Sequence, residues 1–467
     1  MERIVKNGTV VTTGGLFAAD VGIAGGKVVA LGQGLDGTGE IIDATGCYVM
    51  PGGIDVHTHV DGAGFGVKSA DDFGTATMAA ACGGTTTIID FCEQARGQSL
   101  ADAIATWDAK ARGKAAIDYG YHMILVDLGP DQLAELEGLP AKGITSFKVF
   151  MAYRGMLMVD DVTLLNALDV AKRTGALVMV HAENGDAADY LRDKLIAEGK
   201  TAPRYHGLSR PPRVEAEATA RAIALAEIVG APIYVVHLSC REALDQLLDA
   251  KRRGVEALAE TCTQYLYLTE DDLARPGFEG AKYVFTPLPR TVADQEALWQ
   301  ALRHGVLETV SSDHCSWLLD GHKDLGKDDF RKIPNGAPGI EERLMMLYQG
   351  VRAGRISLTQ FVDLAATRPA KVFGLFPEKG SIGIGAYADL VLWDPEARGV
   401  IRKAELHSAV DYSSYEGREV VGRPRTTLLR GEVIVRDGVY VGSKGQGRFL
   451  RRHPYVPLSG QVEGGRR

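Results

Sequence analysis

The pattern of hydrophobic and polar positions changes twice along the chain. The first fifty residues are short apolar stretches divided by glycines, as in "RIVKNGTVVT" and "ADVGIAGGKVVALG". The same pattern returns near the other end, in "GSIGIGAYADLVLWDP" and "TTLLRGEVIVRDGVYVG". Short alternating strands with Gly-rich turns are typical of a small sandwich. Neither stretch alone offers enough apolar residues for a core, so we predict that both ends fold together into one β-domain.

Between the two ends, strand-like and helix-like segments alternate. One helical pattern is "DDVTLLNALDVAKRTG", where Asp160 or Asp161 can cap the start and Gly175 can end the helix. Eight strands separated by helices over about 260 residues match a (β/α)₈ barrel in number and length. An open doubly wound sheet is the alternative, but it would need a Gly-rich phosphate fingerprint after its first strand, and the sequence has none there. The predicted strands span 52–59, 85–90, 118–126, 146–151, 176–183, 232–239, 255–261 and 307–314.

The predicted fold class is therefore α/β, a TIM-like (β/α)₈ barrel with a small β-sandwich domain formed from both ends of the chain. We expect the sandwich to comprise residues 1–51 and 376–443, and the barrel to comprise residues 52–375. Residues 444–467 form a C-terminal tail that begins with the basic run "KGQGRFLRR". Such a run usually lies in solvent or at a subunit contact.

Composition excludes some classes of partner. The 467 residues carry a formal net charge of −8, which argues against nucleic-acid binding, because phosphate contacts depend on clustered Lys and Arg. No apolar run approaches the roughly 18 residues that a membrane span needs, and "MERIVKNGTVV" does not read as a signal peptide. Six scattered cysteines without a C-x-x-C pair are typical of free thiols in a cytoplasmic protein.

Polar residues end several of the predicted barrel strands. His57 and His59 in "DVHTH" are two residues apart and project from one face of a strand. His181 and His237 end the fifth and sixth strands, and Asp313 ends the eighth. In a (β/α)₈ barrel these ends converge on one rim. A single such residue is ordinary, but five together predict a metal site, since imidazole and carboxylate groups suit Zn²⁺ and similar ions.

Lys148 occupies an unexpected position in "SFKVFM", on the fourth predicted strand and aimed at the same rim. Burial and neighbouring cations would both disfavour its ammonium form. A neutral amine can add CO₂ to give a carbamate, whose two oxygens could bridge two metal ions. A buried ion pair between Lys148 and a carboxylate such as Asp313 is the alternative.

The chain resembles the cyclic amidohydrolases of the dihydropyrimidinase and hydantoinase group over nearly its whole length. The motifs that carry the resemblance occur in order: "ATGCYVMPGGIDVHTH", "ACGGTTTIIDF", "SFKVFMAY", "HAEN", "VHLS", "SSDHC" and "IPNGAPGIEER". The resemblance implies a binuclear-metal hydrolase that opens the cyclic amide bond of hydantoins and 5,6-dihydropyrimidines to N-carbamoyl amino acids. It also implies a homotetramer or homodimer with the tail at an interface.

The resemblance assigns roles to individual residues. Asp313 binds the first ion and shuttles protons, and Lys148 becomes N6-carboxylysine, a CO₂-derived carbamate that bridges two divalent ions, Zn²⁺ above all. The implied metal ligands are His57, His59, Lys148, His181, His237 and Asp313.

Substrate contacts follow from the same resemblance. Tyr153 is the expected oxyanion donor, since its ordinary pKa of about 10 keeps it protonated at neutral pH. Asn335 in "IPNGAPG" and Thr286, which stands where the family has a serine, would hold the ring. Phe65 and Phe150 look similar in position to the family's pocket for the exocyclic substituent, which favours aryl or alkyl groups. Rim or loop packing is the alternative for Tyr153 and for the two phenylalanines.

Three other functions compete with this interpretation. Some relatives act as metal-free scaffolds, but they lack several ligands that this chain keeps. Dihydroorotases usually place an arginine just after H-x-H, whereas Val60 and Asp61 follow here. Allantoinases share the metal site, although the "FMAY" and "IPNGAPGIEER" segments favour a hydantoinase.

Overall fold

The computed structural model describes residues 1–458, and its largest element is a ring of parallel strands. Consecutive strands pair with each other around the ring. The eighth strand is split: its first part pairs with the seventh strand and its second part pairs with the first, which closes the ring. The predicted TIM-like barrel is confirmed. Its strands are Gly53–His59, Thr85–Glu93, Asp118–Ile124, Ser146–Phe150, Leu177–His181, Ile233–Val235, Ala257–Cys262, and Thr309–Ser311 with His314–Cys315.

Several strands differ from their predicted bounds by a few residues, and two of them stop because the backbone turns at a polar residue. The sixth strand was predicted over 232–239 but ends at Val235, and His237 has φ +40°. The eighth is interrupted at Asp313, which has φ +49°. A residue with a left-handed backbone conformation cannot continue the hydrogen-bonding pattern of a strand. Each of these two strands therefore stops next to a predicted site residue.

Helices connect the strands and surround the ring. The helix Asp161–Thr174 is capped by Asp160, whose carboxylate accepts the Thr163 N–H at 2.8 Å, and it ends at Gly175 with φ +72°. The sequence allowed either Asp160 or Asp161 as the cap, and in the structure the cap is Asp160. The helices are Phe73–Cys82, Leu100–Ala111, Pro130–Gly138, Asp161–Thr174, Gly185–Ala197, Arg204–Leu208, Pro212–Val229, Arg241–Arg252, Thr263–Tyr267, Val292–Arg303, Arg343–Arg352, Leu358–Val362 and Arg368–Val372.

Both ends of the chain form the β-sandwich together, as predicted. The strand Tyr48–Pro51 pairs with Leu390–Val400, which joins the N-terminal segment directly to the C-terminal one. Val10 and Val21 share a buried apolar core with Leu390 and other residues from the C-terminal segment. One sheet runs in the order Val439–Tyr440, Glu432–Arg436, Glu419–Leu429, Leu390–Val400, Tyr48–Pro51, Thr9–Thr12 and Gly15–Ala18, and the other in the order Lys27–Gly32, Asp20–Ala24, Arg3–Lys6 and Glu40–Asp43.

The start of the C-terminal tail contacts the barrel of its own chain. The backbone N–H of Gly447 donates to Ala115 O at 2.9 Å, and that of Leu450 donates to Tyr119 O at 2.7 Å. Arg452 is buried. This part of the tail is therefore not simply solvated, and its predicted subunit contact stays a prediction. Residues 459–467 lie outside the described residues.

Among residues 1–458, none of the helices combines the length and the apolarity that a membrane span requires.

Candidate metal and active site

Three of the predicted metal ligands meet at the carboxyl ends of the first and eighth strands. His57 Nε2 lies 3.1 Å from Asp313 Oδ1, and His59 Nε2 lies 3.6 Å from the same oxygen. The two imidazole rings have their centroids 5.4 Å apart. One carboxylate oxygen therefore faces both histidines.

The other two histidines lie beside this group. His237 Nε2 is 2.8 Å from His181 Nδ1, and the ring centroids of His57 and His237 are 5.3 Å apart. The structure thus brings all four histidines and Asp313 to one part of the rim, as the sequence predicted.

Three residues of the site have left-handed backbones. Tyr153, His237 and Asp313 have φ values of +67°, +40° and +49°. Such conformations cost on the order of 1–3 kcal/mol for residues other than glycine and persist only where the surrounding fold imposes them. They occur where the chain leaves the barrel strands, and they direct these side chains toward the rim cavity.

Lys148 is fully buried and its amine is not hydrogen-bonded. Nζ has no hydrogen-bond partner among residues 1–458 and lies 4.8 Å and 4.9 Å from the ring centroids of Phe91 and Phe150. Burial lowers the pKa of Lys148 to about 7. The alternative, an ion pair between Lys148 and a carboxylate such as Asp313, is not formed among residues 1–458.

Two buried carboxylates orient the histidines, and the sequence analysis missed both. Glu260 accepts a hydrogen bond from His57 Nδ1, and Glu183 is 2.8 Å from His181 Nε2. Burial opposes the charge on Glu183, but Arg210, 3.0 Å away, and His181 hold the pKa of Glu183 at about 2. The other ring nitrogen of His57 faces Asp313, and that of His181 faces His237, an arrangement typical of metal sites. The positions of these glutamates in "VHAEN" and "ALAET", at strand ends, were the available signal.

These residues fit divalent cations. His57 Nε2 and Lys148 Nζ are buried nitrogens without hydrogen-bond partners among the described residues. His57, His237 and Asp313 offer ligand atoms within 4.8 Å of one another, and so do His59, Asp313 and Cys315. Imidazole nitrogen with carboxylate oxygen is a donor set that Zn²⁺ accepts.

A cavity of about 130 Å³ opens beside the histidines. Its apolar wall contains Phe65 and Phe150, as predicted, and also Met156, Leu157 and Trp317, which the sequence analysis did not identify. The rings of Phe65 and Trp317 meet edge to face with centroids 6.4 Å apart. The apolar cluster "MLM" after Tyr153 and the tryptophan after "DHCS" were the signals for these residues.

The remaining predicted substrate contacts line the same cavity. Tyr153, Thr286 and Asn335 all contribute to its wall. Asn335 Nδ2 lies 3.5 Å from the Tyr153 hydroxyl, and Thr286 Oγ1 lies 3.3 Å from His206 Nε2. Burial raises the pKa of Tyr153 to about 12, so its hydroxyl keeps its proton at neutral pH.

Comparison with known proteins gives concordant results. The amidohydrolase family model matches residues 48–434. A D-hydantoinase from Rhizobium radiobacter is 68% identical over 455 residues, covering 97% of this chain and 100% of that protein. A solved D-hydantoinase structure superimposes with a TM-score of 0.97 at 67% identity, covering 97% of this chain and 100% of the other. The dihydropyrimidinase from Brevibacillus agri NCHU1002 gives a TM-score of 0.97 at 50% identity, with 98% and 100% covered.

Proposed function

The chain belongs to the amidohydrolase family, and from this membership and the geometry of the rim we propose that it is a metal-dependent cyclic amidase. It hydrolyses the ring amide bond of hydantoins and 5,6-dihydropyrimidines and releases N-carbamoyl amino acids. The names of its relatives, D-hydantoinase and dihydropyrimidinase, support this substrate class.

One observation carries the proposal most directly. The fully buried Lys148 amine has no hydrogen-bond partner among residues 1–458, and it lies on the strand that ends between the two groups of histidines. A buried amine in that position is costly unless it is modified or neutral. Reaction with CO₂ forms an N–C bond and releases one proton, which converts the amine into an anionic carbamate with two oxygen ligands.

In this proposal the six residues hold two divalent cations. His57, His59 and Asp313 would hold one ion and His181 and His237 the other, with carboxylated Lys148 as a further ligand. When bound, such ions lower the pKa of water and polarise a carbonyl group.

The protein's own side chains then handle protons and charge. Asp313, whose Oδ1 faces both His57 and His59, accepts the proton of the attacking water through its carboxylate and returns it to the departing ring nitrogen. The protonated Tyr153 hydroxyl donates to the carbonyl oxygen as negative charge develops there. Asn335 and Thr286 hold the ring in the same cavity.

The cavity wall supports a preference for apolar 5-substituents. Phe65, Leu157 and Trp317 present apolar surface opposite the polar residues of the rim, and this surface excludes water from an aryl or alkyl group. Because the most similar relatives reported above are D-hydantoinases, we extend a preference for the D enantiomer to this chain.

A substrate panel tests the proposal. We expect the zinc-loaded protein to turn over D-5-phenylhydantoin and dihydrouracil much faster than allantoin or dihydroorotate. Product formation can be followed by loss of ring absorbance and by chromatography of the N-carbamoyl amino acid. Allantoin as the best substrate would assign the chain to the allantoinases instead, and a protein that binds no divalent metal and stays inactive on all four after Zn²⁺ is added would support a scaffold.

A further inference from the structure

A second group of metal-binding side chains lies away from the rim, where the helix Phe73–Cys82 ends. The Cys82 Sγ, a carboxylate oxygen of Glu341 and a ring nitrogen of His407 lie within 4.8 Å of one another. Cys82 and Glu341 are buried, and His407 is half-buried. These residues come from three distant segments, so it is the fold that brings them together.

A cavity of about 100 Å³ opens onto all three side chains. One water molecule occupies roughly 30 Å³ in the liquid, so the space admits a cation together with a water molecule as a further ligand. Arg402, Arg423 and Glu405 also line it. A thiolate at Cys82, together with Glu341 and Glu405, would outweigh the two arginines in charge.

An ion pair accounts for only part of this arrangement. His407 Nδ1 lies 2.9 Å from Glu341 Oε1, and the His407 backbone N–H donates to Oε2 at 2.8 Å. These contacts do not involve the thiol that is buried at the same point. Burial and the charge of Glu341 raise the pKa of the Cys82 thiol, so the thiol is neutral without a cation, and a coordinated cation would lower that pKa.

We propose that Cys82, Glu341 and His407 form a third divalent-cation site, of the zinc type, separate from the rim. Thiolate, imidazole and carboxylate groups are all ligands of Zn²⁺. Bond lengths of roughly 2.0–2.3 Å place tetrahedral ligand atoms about 3.3–3.8 Å apart, so small side-chain rotations close the present separations. Water from the cavity supplies the fourth ligand.

The site would also stabilise a loop next to the rim. Ser408, which follows His407, donates from Oγ to Asp71 Oδ2 at 2.6 Å. Asp71 Oδ2 is also 3.1 Å from Nε2 of His314, the neighbour of Asp313. A cation on His407 therefore fixes a segment that supports the Asp313 loop, without touching substrate.

Metal counting on the stripped and reconstituted protein tests the proposal. After dialysis against Zn²⁺, elemental analysis should give three ions per chain for the wild type, and two for Cys82→Ala and for His407→Ala. Because His407 is half-buried, its removal leaves the apolar core intact. The matched control is Cys47→Ala, which removes a thiol buried in the sandwich and should keep three ions.

Cobalt provides an independent signature. Reconstitution with Co²⁺ should give a thiolate-to-cobalt charge-transfer band in the near ultraviolet, lost in Cys82→Ala but kept in Cys47→Ala. The band should also persist in Cys315→Ala, which removes the thiol beside the rim ligands.

The variants distinguish a failure of this site from a failure of the rim site. Lys148→Ala acts on the rim alone and should keep the thiolate–cobalt band, so failure of the proposed function would leave the third site standing. Two ions per chain in the saturated wild type, with no loss of an ion in Cys82→Ala or His407→Ala, would overturn the proposal. A third ion that survives both Cys82→Ala and His407→Ala would overturn it equally.

Discussion

Lys148 lies on the fourth barrel strand with its amine buried between Phe91 and Phe150 and without a hydrogen-bond partner among residues 1–458. An unmodified ammonium group there would lose its hydration without compensation. The neighbouring imidazoles face the same space, and two of them are oriented by buried carboxylates. At the scale of single residues, the proposed metal site requires this lysine to be an anionic ligand.

Replacement of Lys148 by alanine should therefore remove metal and activity together. The carbamate oxygens are lost, and the remaining ligands hold the two ions weakly. Elemental analysis and turnover of D-5-phenylhydantoin measure the two effects, and added short carboxylates should restore part of both. The exposed Lys327, changed to alanine, is the control and should behave as the wild type. A Lys148→Ala protein with full rim metal and full activity would show that Lys148 has a structural role and is not a metal ligand.

Tyr153 tests the transition-state contact separately. Loss of one oxyanion donor typically lowers kcat by about 10²–10³-fold. We expect Tyr153→Phe to show a loss of this size in steady-state kinetics, with metal content and KM nearly unchanged. Tyr190→Phe, at an exposed position, should leave kcat unaffected. A change confined to KM in Tyr153→Phe would instead indicate a packing role.

The ligand residues could be predicted because strand geometry is simple. A period of two places His57 and His59 on one face, and parallel strand ends meet at one rim. Glu260 and Trp317 were missed because their contacts depend on which strand neighbours which and on how a loop folds back. Those choices come from tertiary packing, so the local patterns around these residues mark their positions but not their contacts.

At the scale of elements, the sixth and eighth barrel strands are interrupted next to predicted metal ligands. His237 and Asp313 adopt left-handed backbones where the sixth and eighth strands are interrupted, although the apolar pattern of the sixth continues in Val236 and Leu238. The apolar pattern alone therefore predicted a longer sixth strand and an unbroken eighth. Helices were easier to delimit, because caps such as Asp160 and Gly175 carry local signals that act through the backbone itself.

The cap of the helix Asp161–Thr174 gives a test at this scale. Asp160→Ala removes the acceptor for the Thr163 N–H and should lower the free energy of unfolding by about 1 kcal/mol. Asp161→Ala removes a first-turn carboxylate and its part-buried contact with Arg221 and should cost less, since such pairs contribute about 0–1 kcal/mol. Denaturant unfolding of the two variants compares them. A larger loss in Asp161→Ala would show that the cap has been assigned to the wrong residue.

At the scale of the whole molecule, the two chain ends close one sandwich beside the barrel. The similar patterns of short apolar strands at both ends predicted that the two ends fold together, because neither end could bury a core by itself. The path of residues 447–455 across their own barrel was not predictable, since a basic run gives no indication of the surface it meets. The homotetramer or homodimer and the cytoplasmic location stay predictions.

Bound ions should stabilise the entire fold. Ligands that bind only the native state add about 4 kcal/mol at a concentration 1,000 times their dissociation constant. Removal of metal by a chelator should therefore lower the melting temperature, and added Zn²⁺ should restore it. Calorimetry measures the shift, and an unchanged melting temperature would contradict tight binding at the rim.

Stepwise metal titration of the stripped protein shows whether hydrolysis depends on the two rim ions. Hydrolysis of D-5-phenylhydantoin and bound zinc are measured on the same samples. The account predicts no activity without metal, full activity when the two rim ions are bound, and no further gain from an ion at Cys82. Substantial hydrolysis by protein shown to contain no metal, or none by protein with a filled rim, would contradict it.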